Sequence, residues 1–283
     1  MAALFLSFCL VLSLFIMPVR SHAASSVKNL KLGSTYSYDL DGDGVKEKLK
    51  FKFTEEGKYK IYINGKVKKT ITLGEYYYSP CLQVMDIDQA EGVMDLFVYA
   101  YASSDDISYS ALYRYQDGKI TRIWNLGYGK DTAAAFYQVP GYVTKCDGKG
   151  NFYVAMDRAL KVDQLVGNHI DQIKYKIKDG KVSRVSQKTF YFAETCGYDE
   201  NGEFGRNVPF KCARKLTFYK EHNKKDGSFT LKKGTLLTPV KIYIVSEKSI
   251  YVQFKTASGK TGWLRAGDFD FDRLPFTNLA FFD

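Results

Sequence analysis

Histidine, tryptophan and proline are scarce, at 3, 2 and 6 of 283 residues. One histidine, His22, falls inside an apolar leader. The remaining two, His169 and His222, have no zinc-ligand spacing to each other or to a cysteine. No G-x-S-x-G nucleophile turn occurs, and no cysteine stands with a histidine in a family-like motif. Carboxylate pairs that glycoside hydrolysis needs exist at Asp105-Asp106 and Asp268/Asp270, but they read more simply as solvated loop charges. These shortages point away from an enzyme. Cysteine is thin as well, with 5 in the chain and no C-x-x-C pair.

What is plentiful is aromatic and basic. Tyrosine and phenylalanine number 22 and 20, a composition suited to sheets more than to helical bundles. The formal charge is +10. Such a balance fits nucleic acid or an anionic cell envelope, and the leader favours the envelope. Ala3 to Val19 is almost wholly apolar, and Ser21-His22-Ala23 supplies a small-x-small cleavage site. The run is short for a span of about 20 residues. Residues 1–24 are therefore expected to be a signal peptide, leaving a secreted or wall-associated chain with no stable membrane span and no nucleic-acid role. A retained anchor is the alternative. Four cysteines remain: Cys196 and Cys212 could close a loop, worth roughly 3 kcal/mol if unstrained, and Cys81 with Cys146 would be the other pair.

The most informative stretch is Asp39-Leu40-Asp41-Gly42-Asp43-Gly44-Val45-Lys46-Glu47, between two strand-like segments. Alternating Asp39, Asp41 and Asp43 let a tight curl aim three carboxylates at one point, and Gly42 and Gly44 permit the positive φ values this needs. The carbonyl of Val45 and the side chain of Glu47 would complete a cage of hard oxygens, which suits Ca²⁺. A solvated acidic turn is the plainer reading.

Around this stretch the pattern is strand and turn. Leu49, Phe51 and Phe53 alternate with lysines, Tyr59, Ile61 and Ile63 repeat the alternation, and Asn64-Gly65 marks a hairpin before a strand from Val67. The unit recurs. Asp86, Asp88, Glu91 and Asp95 parallel the first loop with poorer glycine support, followed by strands and Asp117-Gly118. A third loop, Lys145 to Gly150, keeps one Asp but has lysines where ligands should be; strands and Asp179-Gly180 follow. Units near 35–73, 82–125 and 141–187 give a period of about 45–60 residues. One helix is expected, from Ala159 to Ile170, ended by Gly167. The first loop resembles the calcium loops of FG-GAP/VCBS-type β-propeller repeats, which implies that residues 25–193 form a partial or small propeller-like domain. Three units are fewer than a closed propeller takes, leaving an open array, a further blade from Thr189 to Lys215, or pairing in a homodimer.

Residues 194–214, rich in Gly, Asp, Glu and Asn, read as a connector. Beyond it, the Lys233-Gly234-Thr235 turn and the Ser258-Gly259 hairpin ending in Gly262-Trp263-Leu264 resemble a bacterial SH3 domain over 215–283, a small β-barrel filled by Val240, Ile242, Tyr251 and Phe254. The resemblance implies binding of cell-wall peptide, peptidoglycan or a surface protein, with Tyr251 and Trp263 as candidate ligand contacts; Trp263 also fits a core role. The aromatic tail, Phe269 to Phe282, is expected to pack back onto the protein. The whole reads as an all-β, non-enzymatic, calcium-stabilised binding protein.

Overall fold

The structure is a computed structural model, and it describes residues 26–54, 56–73, 77–102, 108–126, 138–158, 162–222, 229–246 and 248–281. The leader 1–24, Asp105-Asp106, Leu160 and Phe282 lie outside the described residues.

Strands dominate in chain order: β1 (Lys28–Leu30), β2 (Thr35–Tyr38), β3 (Glu47–Phe53), β4 (Lys58–Ile63), β5 (Lys66–Thr72), β6 (Tyr77–Met85), β7 (Asp95–Ala102), β8 (Ser108–Gln116), β9 (Lys119–Leu126), β10 (Gln138–Cys146) and β11 (Asn151–Arg158). After the short helix α1 (Asp163–Val166) come β12 (His169–Lys178), β13 (Lys181–Arg184), β14 (Thr189–Tyr198), β15 (Phe204–Arg206), β16 (Phe210–Lys211), β17 (Leu216–Phe218), β18 (Phe229–Leu231), β19 (Leu236–Ser246), β20 (Ser249–Thr256) and β21 (Thr261–Arg265). Neighbouring strands pair antiparallel throughout, and no sheet closes on itself among the described residues. No described helix is long and apolar enough to cross a membrane.

The first sheet is a meander, β2-β3-β4-β5. Its pleat follows the sequence: Leu49, Phe51, Tyr59, Ile61 and Ile63 are fully buried, while the intervening lysines stand on the other side. Asn64-Gly65 turns the β4–β5 hairpin with φ of 50° and 78°, the doubly positive pair of a type I′ turn. Asp117-Gly118 and Asp179-Gly180 turn β8–β9 and β12–β13 with nearly the same angles.

The second sheet, β1-β6-β7-β8-β9, repeats the meander with β1 added along β6. Both of its faces are covered. Leu82, Val84, Leu96 and Val98 pack against the first sheet, whereas Met85, Phe97 and Leu112 pack into a second core shared with the third sheet. That double burial explains why Leu96-Phe97-Val98 reads as an unbroken apolar run and not as an alternation. The second and third sheets are clasped by Gln83, whose amide bonds Val143 in β10, and by the Ser110 hydroxyl donating to Gly141 O.

The third sheet runs β10-β11-β12-β14-β19-β20-β21, with β13, β15 and β16 joined to its flanks. β14 pairs with β12 on one side and β19 on the other, so the third repeat unit and the C-terminal strands share one sheet and one core. Residues 194–198, read as the start of a connector, are strand. The expected helix is one turn long. Gly167 ends it, at φ of 60°, and β12 starts two residues later at His169, where Ile173, Tyr175 and Ile177 alternate into the core. In the C-terminal part Ile242, Val252 and Phe254 face inward, but Tyr251 stands on the opposite face beside Tyr243, the consequence of strand alternation. Gly262 leaves room for the Phe229 ring, which a Cβ there would meet at 2.6 Å. The tail does pack back: Phe276 is buried between Phe210 and Phe254. Phe271 and Phe281 remain exposed, ring against ring.

Candidate metal centre

The turn from β2 to β3 is built by its own acids. Asp39 Oδ1 accepts from Gly42 N at 2.8 Å and its Oδ2 from Gly44 N at 3.1 Å, while Asp43 Oδ1 accepts from Val45 N at 2.7 Å. Gly42 and Gly44 sit at φ of 79° and 89°. The curl brings one carboxylate oxygen each from Asp39, Asp41 and Asp43 within 4.8 Å of one another, the sole such group among the described residues. Asp41 Oδ1 is buried and accepts no hydrogen bond. A buried, unsatisfied carboxylate oxygen costs free energy unless a cation or donor meets it. An oxygen-only set of this kind fits a hard cation such as Ca²⁺. Asp39 retains lone pairs for it after bonding the glycine amides.

Of the other two expected ligands, Glu47 stands apart from the triad. Glu47 is buried, and its Oε2 accepts from Leu40 N at 2.9 Å. It clasps the turn and does not join the carboxylate triad. The Val45 side chain is exposed. Negative charge is nonetheless concentrated here. Burial raises the Tyr115 phenol above its ordinary range, and Glu47, Asp41 and Asp43 push it further up.

The second turn, from β6 to β7, does not assemble a comparable set from Asp86, Asp88, Glu91 and Asp95. Arg114 intervenes: its Nε and Nη2 donate to Asp95 Oδ1 at 3.0 and 2.9 Å, and its Nη1 pairs with Glu91. The cause lies in the register, which places Arg114 directly opposite Asp95. Asp88 Oδ1 accepts from Ala90 N, and the Asp86 carbonyl accepts from the Cys146 thiol. In the third turn Asp147 accepts from the Lys149 and Asn151 amides and from Asn151 Nδ2.

The three turns are sewn together. Met94 N donates to Leu40 O at 3.0 Å, joining the first to the second; Gly150 N donates to Ile87 O at 2.8 Å and Gln89 N to Gly148 O at 3.1 Å, joining the second to the third. A fourth turn of the same make lies between β14 and β15, where Asp199 Oδ1 accepts from the Asn201 and Glu203 amides. Its signal is in the sequence: Tyr198-Asp199-Glu200-Asn201-Gly202 follows Tyr38-Asp39-Leu40-Asp41-Gly42 with Glu for Leu and Asn for the second Asp.

The four cysteines among the described residues are not bridged. No disulfide links Cys196 to Cys212 or Cys81 to Cys146. Cys196 faces Arg206 in the β14–β15 ladder, and Cys212 is bridged through its backbone to Phe276. His169, which has no ligand spacing in the sequence, is buried. His169 Nδ1 lies 3.0 Å from Gly167 O and 3.8 Å from Asp163 Oδ1, with Nε2 3.9 Å from Asp171 Oδ2. Burial raises the nearby Asp157 and Asp163 carboxyls, and His169 partly offsets this.

Of the two candidate ligand contacts, Trp263 is 6% exposed, covered by the Tyr219–His222 segment; its backbone exchanges two hydrogen bonds with Tyr219 and the His222 ring lies 5.4 Å away. Tyr251 is half-buried beside the same histidine. Asp268 accepts from Tyr219 OH and lies near Arg265. No family model matches the chain, nor does any curated protein or solved structure.

Proposed function

We propose that the chain is an exported, non-enzymatic binding protein of the cell envelope, with a calcium-stabilised scaffold. In this reading the stacked meanders are propeller-like blades, and Ca²⁺ held by Asp39, Asp41 and Asp43 sets the first of them. The C-terminal strands form an SH3-like module that engages cell-wall peptide, peptidoglycan or a surface protein. The observation carrying the proposal is the convergence of three carboxylates with one buried, unpartnered oxygen at Asp41. The bond from Met94 N to Leu40 O couples that turn to the next sheet, so an ion there supports the stack as well as the loop. The positive charge of the chain suits an anionic surface.

A pull-down on purified wall material, with and without chelator, tests the proposal. Retention on the wall without release of soluble fragments is the expected result. Loss of turbidity in the wall suspension would instead assign the chain to a wall-hydrolase system, and absence of retention would remove the envelope role.

A further inference from the structure

The outer face of the first sheet is a field of lysines. Lys48, Lys50 and Lys52 in β3 and Lys58 and Lys60 in β4 alternate with the fully buried Leu49, Phe51, Tyr59 and Ile61. All five therefore leave the sheet on the side away from its core. Lys52 stands directly opposite Lys60, a like-charge cross-strand pair that costs stability. Among the described residues the sole carboxylate paired with any of the five is Glu56, which meets Lys58. From Lys46 to Thr72 the sequence has nine lysines and no arginine. Beside the lysines on this face stand small hydroxyls, Thr35 and Ser37 in β2 and Thr70 and Thr72 in β5, and one registered pair, Tyr62 with Val67. Tyr62 is half-buried and Val67 is 48% exposed, and neither belongs to a hydrophobic core.

We infer that this face docks on an anionic lipid surface. Four lysines without a carboxylate, two of them set against each other, call for an anion, and what accompanies them selects which. No arginine offers a bidentate fork for a particular carboxylate or phosphate. The one aromatic ring registered on the face, Tyr62, has the Lys52 ammonium 5.9 Å from its centroid, and a single ring is not the succession of stacking platforms that a nucleic acid strand takes. The face thus reads charge alone, which suits a ligand that brings its charges to the lysines. Lipid headgroups diffuse laterally and do so; a polymer carries its charges at fixed places. The apolar pair decides between a bilayer and a soluble polyanion. Val67 lies beside Tyr62 and between Lys66 and Lys68 in sequence. A soluble polyanion leaves that valine in water. At a bilayer it enters the interfacial layer, where a tyrosine ring is also favoured and lysine stems keep their ammonium groups among the headgroups.

Vesicle co-sedimentation in chelator tests the assignment apart from the metal centre and from retention on wall material. The chain from Ser25 on is used, which contains every described residue. Vesicles of phosphatidylcholine with about one-third phosphatidylglycerol are expected to bind it at least about tenfold more tightly than phosphatidylcholine alone, and less tightly as salt rises. The variant Lys50→Gln/Lys52→Gln/Lys60→Gln is expected to melt no lower than the parent, because it relieves the opposed pair. Its vesicle affinity is expected to fall about a hundredfold, at about fivefold per lysine. Lys176→Gln/Lys178→Gln/Lys181→Gln removes the same charge from exposed positions of the third sheet, and its affinity is expected to stay within about twofold of the parent's. Equal binding to uncharged vesicles, an unchanged affinity in the first triple variant, or an equal loss in both would overturn the inference. Val67→Ser supplies a charge-neutral check, with an expected loss of about threefold or more. Unchanged vesicle binding in that variant, or soluble polyphosphate bound as tightly as the anionic vesicles, would give the face to a soluble polyanion and overturn the inference as well.

Discussion

Gly42 and Gly92 meet so closely that a Cβ on Gly42 would lie 2.4 Å from the Gly92 carbonyl oxygen. The two belong to consecutive turns, so backbone touches backbone where the first sheet leans on the second. Gly42 also holds a φ of 79°. Gly42→Ala therefore meets a rigid neighbour in addition to a left-handed conformation, and is expected to destabilise the fold by about 1–3 kcal/mol. Denaturant titration measures this. Gly44, equally left-handed but with open space around it, is expected to tolerate alanine at about 1 kcal/mol, and the contrast between the two isolates the contact.

Gln83 performs the corresponding task between the second and third sheets. Its Oε1 accepts from Val143 N at 2.8 Å, and its Nε2 donates to Val143 O at 3.0 Å and to Asn29 Oδ1 at 2.8 Å. Gln83→Leu keeps the volume but leaves the Val143 amide and carbonyl buried without these partners. A loss of about 2–4 kcal/mol is expected, the desolvation cost of two such groups. Chemical denaturation of the variant checks it, and a neutral effect would mean water or rearrangement replaces the clasp.

Asp95 makes stability depend on pH. Burial raises its carboxyl to about 7 although Arg114 opposes the shift. In the unfolded chain the same group titrates near 3.8. Between these values the folded protein holds a proton that the unfolded chain has released. The contribution is full below about pH 4, declines as pH rises and is lost past about pH 7. Asp95→Asn keeps an oxygen for Arg114 and abolishes the titration. Melting temperatures measured from pH 4 to 7 are expected to fall for the parent and to flatten in the variant. Parallel curves would contradict the assignment.

The thiol of Cys212 is expected to be inert in the folded state. It is buried, and burial raises its pKa to about 11, so little thiolate exists at pH 8. Iodoacetamide at that pH should leave Cys212 unmodified until denaturant is added, as read by peptide mass. Rapid labelling of the native protein would show that the Phe276 strap opens.

Strands and hairpins were legible because their signals are local. Alternation in Lys48 to Phe53 and the Asn64-Gly65, Asp117-Gly118 and Asp179-Gly180 turns each specify a pairing within a few residues. The acid triad was legible for the same reason. What escaped depends on partners distant in sequence. Arg114 takes Glu91 and Asp95 out of the second turn through a cross-strand register that spacing alone does not reveal. Thr189–Tyr198 joins β12 to β19, but its polar continuation through Asp199, Asn201 and Gly202 gives the stretch a linker's composition. Glu47 has the residue type and position of a ligand, yet the Leu40 amide claims one of its oxygens.

Calcium titration of the parent and of Asp41→Ala, followed by thermal unfolding, tests the central claim most directly. With about 1 mM Ca²⁺ and a Kd near 0.1 mM, typical of extracellular sites, the ion adds roughly 1.4 kcal/mol by mass action. The parent should melt roughly 3 °C higher with calcium than in chelator, and Asp41→Ala should melt at one temperature in both. An equal rise in the variant, or no rise in the parent, would contradict a metal centre at Asp39, Asp41 and Asp43.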